Sequence, residues 1–209
     1  MEAKVYGLDG NLNGKTAELN ADVFDVQVSQ GCIYYAVNNE LANRRVGTAC
    51  TKTRAEVNYS NTKPFKQKGT GNARRGDKKS PIFVGGGTIF GPKPRDYSYK
   101  MPRKMKRNAM KSLLTLSLQE NRMFVVEDFT IESGKTRDMD KILKNFAKDA
   151  ERTVLIMASD DVMIRRAGRN IPNLHVLSYD KLSAKELLYG KKVLVLESAA
   201  KNLNEFYCD

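Results

Sequence analysis

The run Thr153-Val154-Leu155-Ile156-Met157 is the stretch that says most about the fold of this chain. Four of its five residues are apolar, and polar and apolar positions do not alternate along it. A strand of this kind has both faces buried, which is typical of the interior of a parallel sheet covered by helices on each side. The run therefore predicts a central strand of an α/β layer.

Similar apolar runs lie on either side of this stretch, at 123–126, 174–177 and 193–196. Apolar residues recur at helical spacing in the segments around them, at 107–120, 139–150, 161–167, 183–188 and 199–206. Strand and helix therefore alternate four times. The pattern predicts an α/β domain with a mostly parallel central sheet, right-handed crossovers and helices on its faces in a Rossmann-like layering.

The N-terminal part of the chain has a different pattern. Residues 1–29 contain short apolar stretches, Val23–Val28 among them, and these predict strands or extended edges. From Gln30 onward the apolar residues follow helical spacing, which predicts a helix that runs into Arg44.

A strongly basic segment separates these two parts. Residues 44–111 hold nineteen lysines and arginines and three acids, a net charge of +16 in a chain of +12 overall. Five of the six prolines also fall there, and the apolar residues are isolated, so ordering the segment alone would cost more conformational entropy than burial returns. We therefore predict a globular domain of residues 1–43 and 108–209, interrupted by a long extended basic loop of residues 44–107.

The composition of this loop favours RNA as its partner. Its cations are interleaved with glycines, prolines and single aromatic rings. Glycine lets the backbone approach a phosphate, arginine binds phosphate through two donors, and aromatic rings stack on unpaired bases. A solvated linker would not need aromatic rings at regular intervals among its charges.

No catalytic residue, metal site or cofactor is predicted. Gly71–Gly76 has the glycine spacing of a P-loop, but Asp77 stands where the phosphate-binding lysine is required. Gly85–Gly87 is not followed by a helical pattern. His175 is a single histidine in an apolar strand, and Asp160-Asp161 fits a helix N-cap better than a metal site.

Membrane and disulfide-bonded classes are also disfavoured. The chain has no run of 18 apolar residues and its first residues have no apolar signal region, so neither a membrane span nor a secretory signal is expected. The three cysteines, Cys32, Cys50 and Cys208, are an odd number at wide spacings, which favours reduced thiols over a disulfide framework or a zinc site.

One stretch of the loop is recognisable. Lys63–Arg74 resembles the K-P-W-R-Q-K-G-T-G-R-A-R signature of the bacterial large-subunit ribosomal protein L-four family. The similarity continues through 80–83, 85–87, 90–98, 103–114, 120–122 and 169–172, so that it covers essentially the whole chain. Two departures from the signature matter: Phe65 replaces the usual tryptophan, and Asn72 replaces the usual arginine.

The resemblance implies an α/β domain on the outer surface of the large subunit and a loop that threads inward through the large ribosomal RNA. The loop tip would help to form the narrow part of the nascent-peptide exit tunnel, opposite a second ribosomal protein. In this chain the tip corresponds to Gln67, Lys68, Gly69, Thr70, Gly71, Asn72, Ala73 and Arg74. The partners that the resemblance implies are large-subunit RNA, neighbouring large-subunit proteins and the nascent peptide. The resemblance implies no membrane partner and a location in the cytoplasm, within the large ribosomal subunit.

Together, the charge pattern and the resemblance predict RNA contacts at Arg44, Arg45, Lys63, Phe65, Lys66, Lys68, Arg74, Arg75, Lys78, Lys79, Lys93, Arg95, Lys100, Arg103, Lys104, Lys106 and Arg107. The predicted function is that of a structural constituent of the large ribosomal subunit without catalysis. The alternative is an RNA-modifying enzyme with a Rossmann-like domain and a basic substrate arm, which would need a cofactor motif after a buried strand. Binding of messenger RNA, by which some family members regulate their own operon, is left open.

Overall fold

The computed structural model describes residues 1–147 and 151–208, and these residues carry six strands and seven helices. In chain order they are β1 (Glu2–Tyr6), β2 (Leu12–Glu18), α1 (Ala21–Phe24), α2 (Gln30–Asn43), α3 (Arg103–Gln119), β3 (Met123–Val126), α4 (Thr136–Phe146), β4 (Thr153–Met157), α5 (Val162–Gly168), β5 (Leu174–Ser178), α6 (Ala184–Tyr189), β6 (Lys192–Leu196) and α7 (Glu197–Cys208).

The strands form one mixed sheet in the order β2-β1-β3-β6-β4-β5. β1 and β2 are an antiparallel hairpin at one edge, whereas the other four neighbouring pairs are parallel. β1 pairs with β3 through Val5 and Val125, which lie on opposite sides of the basic segment in the sequence. The predicted α/β class is confirmed, with an antiparallel edge added to the parallel strands.

The core lies where the sequence predicted buried strands. All five residues of β4 are buried, and Val154, Leu155 and Ile156 are inaccessible to solvent. Helices cover the sheet with buried leucines, including Leu113, Leu114, Leu187 and Leu203. Fully burying a side chain of this size stabilises the fold by about 1.5–3 kcal/mol, so hydrophobic burial dominates the stability of this layer.

The chain folds as two compact units. One comprises Met1–Ala42 and Tyr99–Asp209, which we call the body, and the other comprises Asn43–Ser98, which we call the basic unit. The sequence placed the second boundary after residue 107, whereas α3 begins at Arg103. Its cationic first turn has no apolar periodicity, so the pattern did not reveal the start of the helix.

Two local predictions need correction or restriction. The stretch Val23–Val28 was interpreted as extended, but Val23 and Phe24 are buried in the short helix α1. The side chain of Asn20 accepts a hydrogen bond from Asp22 N (3.0 Å) and so begins that helix. In the predicted helix 139–150, residues 139–146 belong to α4, and residues 148–150 lie outside the described part of the chain.

A carboxylate from α2 holds the N-terminus of α6. Glu40 accepts hydrogen bonds from the Ser183 hydroxyl (2.7 Å), Ala184 N (2.7 Å) and Lys185 N (3.1 Å). Ser183 is the N-cap of α6 and in turn accepts a hydrogen bond from Glu186 N (3.4 Å). A negative charge at a helix N-terminus is favourable because the exposed N–H groups and the helix dipole are positive there.

We expect Glu40→Gln to destabilise the body by about 1–2 kcal/mol, since the amide NH2 cannot accept a hydrogen bond from a backbone N–H. Urea unfolding followed by circular dichroism measures this free energy. Glu205→Gln is the matched control, because Glu205 is exposed and the described residues give it no ion-pair partner. Equal midpoints for the two variants would show that the Glu40 cap contributes nothing.

Candidate nucleic-acid interface

The basic unit has no helix or strand in residues 44–98, all of which are described. Two of its segments are instead joined by backbone hydrogen bonds. Arg95 N donates to the Gly47 carbonyl (3.2 Å), Thr51 N to Pro92 (3.0 Å) and Thr88 N to Lys52 (2.9 Å). The outgoing and returning segments therefore run antiparallel, side by side, without a regular ladder.

Cations greatly outnumber acids in this unit. Residues 44–98 contain thirteen lysines and arginines and three acids. Each acid is already engaged within the unit: Asp77 with Arg54 (3.3 Å), Glu56 with Lys93 (2.8 Å), and Asp96 with the Ser98 hydroxyl (2.7 Å). The unit therefore keeps a large positive charge that its own residues do not balance.

The Lys93–Glu56 pair changes the interpretation of one predicted RNA contact. The hydrogen bond from Lys93, with help from Thr53 N, lowers the pKa of Glu56 to about 2. The pKa of Lys93 is raised by the same pair. Lys93 is thus held by a carboxylate that is ionised at neutral pH, and a phosphate would have to compete with that carboxylate.

Two of the predicted RNA contacts, Arg45 and Arg95, lie against the same aromatic ring. The guanidinium carbon of Arg45 is 3.8 Å from the centroid of the Tyr97 ring, and that of Arg95 is 4.4 Å from it. The pKa of the Tyr97 hydroxyl is lowered, chiefly by its interaction with Arg95 and also by the charge of Arg45. Stacking on the ring restricts two flexible side chains and keeps their donors in a defined position.

Gly47 makes this arrangement possible. Its φ of +68° lies in the left-handed region, and a Cβ at this position would stand 2.0 Å from the Arg95 carbonyl oxygen and 3.1 Å from Tyr97. A side chain at residue 47 would therefore both strain the backbone and push the two segments apart.

The other aromatic side chains of the unit have different surroundings. Arg75 covers the Phe83 ring, with its guanidinium carbon 4.7 Å from the centroid. Phe65 is half-buried, whereas Phe90 is 99% exposed. An exposed phenylalanine among cations can stack on an unpaired base, although Phe90 was not among the predicted contact residues.

The glycine run 85–87 is explained by the unit itself. A Cβ at Gly86 would lie 2.0 Å from the Ser80 carbonyl oxygen, and one at Gly87 would lie 2.3 Å from Arg54 N. These glycines therefore allow close approach of the chain to its own backbone.

The predicted tip is presented to solvent. Residues 66–74 are all exposed, and the Lys63 ammonium donates a hydrogen bond to the Gln67 side chain. Gly69 and Gly71 have φ values of +85° and +65°, and nothing lies within 4 Å of an added Cβ at either. The tip thus turns on glycines without packing against the rest of the unit.

The body carries a separate group of predicted contacts at the start of α3. Arg103, Lys104, Lys106 and Arg107 are all exposed. The first turn of this helix, which is fully described, has no acidic residue, and Pro102 gives it no side-chain cap. The positive potential of these side chains therefore adds to that of the helix N-terminus, and this favours binding of an anionic partner.

The carboxyl edge of the sheet, where α/β folds bind nucleotides, is chemically unsuited to phosphate. Asp128 accepts hydrogen bonds from Ser198 N (3.2 Å) and its hydroxyl (2.7 Å) at the start of α7. Asp161 accepts one from Met163 N (2.8 Å) at the start of α5, which confirms the predicted N-cap. Two carboxylates thus occupy the helix ends that a phosphate would need.

His175 lies in β5 as predicted, and its Nε2 is 3.5 Å from Oε2 of the buried Glu186. Arg152 also bonds Glu186 (2.5 Å), so the carboxylate has two basic partners. Within the described residues there is no group of three or more His, Cys, Asp or Glu that could hold a metal ion, and no helix long and apolar enough to cross a membrane.

Residues 17–206 match the ribosomal protein L4/L1 family. The chain belongs to this family. The match spans most of the body and the whole of the basic unit, so the cations, stacked rings and exposed tip described above all fall within it.

Named members of the L4/L1 family are similar over nearly the full chain. The large ribosomal subunit protein uL4 of Treponema denticola is 65% identical over 207 residues, covering 99% of this chain and 97% of the relative. The uL4 proteins of Treponema pallidum (strain Nichols) and Borrelia duttonii are 59% and 54% identical, again over 99% of this chain and over 95% and 99% of the relatives. The resemblance found in the sequence is confirmed.

Some features of this L4/L1 family member were not found in the sequence. Arg54 and Tyr97 were not predicted as site residues, although they hold Asp77 and the Arg45–Arg95 pair. Asp77 lies more than twenty positions from Arg54 along the chain, and Arg45 lies more than fifty positions from Tyr97. The spacing of these residues in the sequence therefore did not indicate that they are in contact. Only the position of Tyr97 two residues after Arg95 hinted at a local pair.

Proposed function

We propose that this chain is a structural constituent of the large ribosomal subunit, located with it in the cytoplasm, and that it binds large-subunit RNA. The observation that carries the proposal is the basic unit, in which thirteen cations face three acids that are already engaged. Membership of the L4/L1 family and the name shared by its relatives support the same function.

The mechanism follows from the chemistry of these side chains. Lysine and arginine neutralise phosphates where RNA segments crowd together, and the release of condensed counterions drives binding. Arg45 and Arg95 are held on Tyr97, so less side-chain freedom is lost when they meet a phosphate. Such contacts fix position and orientation, and they require no catalytic group.

Residues 44–107 would form the segment that penetrates the RNA. The helices of the body would lie on the two faces of its sheet, in a Rossmann-like layering. A loop of 57 residues, 44–100, would reach at most roughly 90 Å if each arm were fully extended at ~3.3 Å per residue. That length is ample for entering an RNA core. Prolines 81, 92 and 94 would stiffen the returning arm.

The tip, residues 67–74, would then line the nascent-peptide exit tunnel opposite a second ribosomal protein. Its exposed side chains and glycine turns suit a surface that faces water and a passing peptide. Neighbouring large-subunit proteins would complete the set of partners. Asn72 would leave the tunnel wall one charge less positive than the arginine usual in the family.

The rival function, an RNA-modifying enzyme, has no support in the geometry of the body. At the carboxyl edge of the sheet, where α/β folds bind nucleotide cofactors, Asp128 and Asp161 present negative charge to the helix ends. Family membership favours a structural role as well.

Arm and tip substitutions test the proposal. Arg95→Ala combined with Arg103→Ala should strongly reduce incorporation into large subunits, because both cations would lie against phosphates. Lys68→Glu should leave incorporation largely unchanged and alter macrolide inhibition or peptide-dependent stalling, because the tip would face a water-filled tunnel whose potential it sets. Gradient fractionation and translation assays on the same ribosomes measure both effects.

Asn72→Arg, which restores the usual family residue, is the matched control and should be tolerated in assembly. If Lys68→Glu abolished incorporation as fully as the arm double variant, the tip would be an RNA anchor and the tunnel placement would be wrong.

A further inference from the structure

We propose that a cleft on the body, between the start of α3 and the end of α7, binds a single unstacked nucleotide of the RNA. The inference rests on the proposed function and names one site for it. The cleft encloses about 360 Å³, which falls within the range of pockets that hold small ligands. Its lining includes Arg103, Lys106, Met110, Leu182, Phe206 and Tyr207.

One side of the cleft is cationic. Arg103 and Lys106 are exposed on the first turns of α3, and neither has an ion-pair partner among the described residues. The N–H groups at this helix end have no side-chain cap. A phosphate on this side would gain two charge-assisted partners without displacing a carboxylate.

The floor and far wall are apolar and aromatic. Met110 and Leu182 are buried beneath the cleft. Phe206 is 39% exposed, and its ring makes edge-to-face contacts with Tyr207 (5.0 Å between centroids) and Tyr179 (5.8 Å). These contacts fix a partly exposed ring at the border of the cleft, which is what a base needs for stacking.

The hydroxyl of a nearly buried tyrosine provides the second, independent observation. Tyr207 as a whole is only 4% exposed and lines the cleft, and no group in residues 1–147 and 151–208 is bonded to its hydroxyl, which itself reaches solvent. A hydroxyl that reaches solvent at the wall of a cleft is available to donate a hydrogen bond to a ligand atom there. Burial raises the pKa of this hydroxyl to about 12, which keeps it a donor at neutral pH.

Asp180 determines how the ligand would be oriented. Its carboxylate also borders the cleft, and a hydrogen bond from the Ser178 hydroxyl lowers its pKa, so that it is ionised and accepts hydrogen bonds. A phosphate beside Asp180 would be repelled, whereas the amino or imino group of a base would be bound. The cleft therefore suits a nucleotide with its phosphate towards α3 and its base towards Tyr207 and Asp180.

The first test uses the full chain with ¹³C-labelled methionine and leucine methyl groups. We expect the signals of Met110 and Leu182 to shift saturably with at least one of the four nucleoside 5′-monophosphates and not with inorganic phosphate. An equal response to inorganic phosphate, or no response in a sample that still binds large-subunit RNA, would overturn the proposal. A glutamate-rich peptide that moves these signals at lower concentration than any nucleotide would make the cleft a protein-docking site instead.

The second test measures affinity for large-subunit RNA over a range of salt concentrations. Tyr207→Phe should weaken binding about two- to tenfold, the range for one hydrogen bond, without changing the salt slope. Arg103→Gln should instead reduce the slope by about one, as expected for a phosphate contact. Tyr34→Phe, which removes an exposed hydroxyl from α2, is the control.

These outcomes separate this inference from the proposed function. If the unmodified protein fails to bind large-subunit RNA, the proposed function itself is wrong. If it binds and Tyr207→Phe matches both the unmodified protein and Tyr34→Phe, the function stands and the nucleotide cleft is refuted.

Discussion

Raising salt from 50 to 200 mM should weaken binding of the full chain to large-subunit RNA by about four to five orders of magnitude. With roughly ten phosphates neutralised, the logarithm of affinity should fall against the logarithm of salt with a slope of about −7 to −9. The physical reason is the excess of thirteen cations over three engaged acids in residues 44–98, with four more cations at the start of α3. Filter binding at several salt concentrations measures the slope.

Single variants show which charges contribute to this slope. Arg45→Gln should reduce its magnitude by about 0.7–0.9, because one phosphate contact is lost. Lys141→Gln should leave it unchanged, since Lys141 lies on α4 near Asp138 and outside the proposed interface. A salt response that is flat for the unmodified protein would refute electrostatic binding altogether.

Gly47→Ala should weaken RNA binding by roughly 5- to 150-fold, the equivalent of about 1–3 kcal/mol of backbone strain. The added Cβ would enter a left-handed backbone position and meet the Arg95 carbonyl oxygen at 2.0 Å. The hydrogen bond from Arg95 N to Gly47 and the stacking on Tyr97 would then be lost together. Hydrogen exchange of the Thr51 and Thr88 amides, followed beside RNA affinity, reports whether the two segments separate.

Gly71→Ala is the matched control for this variant. Gly71 has nearly the same φ, +65°, but nothing lies within 4 Å of an added Cβ. It therefore carries the left-handed strain without the clash, and it belongs to the tip. If both variants left amide exchange and RNA affinity unchanged, the joined segments would have no part in presenting the cations.

Much of the body could be predicted because each of its buried strands has a sequence pattern that is recognisable without the rest of the chain. Apolar, β-branched runs such as Val193–Leu196 allow few conformations other than a doubly buried strand. The order of strands was not accessible, since β6 lies between β3 and β4 in the sheet although it follows both of them in the chain. The prediction of an extended segment at Val23–Val28 was wrong although apolar and polar residues do alternate there. The N-cap at Asn20 and the burial of Phe24 stabilise a helical turn at this place instead.

The charge and composition of the basic unit could be predicted from the sequence, but the pairing of its side chains could not. Charge and composition are local properties, so residues such as Arg95 could be chosen directly. Which cations face Glu56 or lie on Tyr97 depends on how the returning segment aligns with the outgoing one. Irregular segments have no periodicity from which such an alignment could be derived.

The parallel pairing of β1 with β3 has a consequence for the newly made chain. Val5 and its partner Val125 differ by 120 positions, so at ~5–20 residues per second the first strand waits roughly 6–24 s for the second to be synthesised. All thirteen cations of residues 44–98 emerge during that interval, before the sheet can close. Attachment to RNA can therefore begin on a chain whose body is still unfolded, and the topology sets the order of these events.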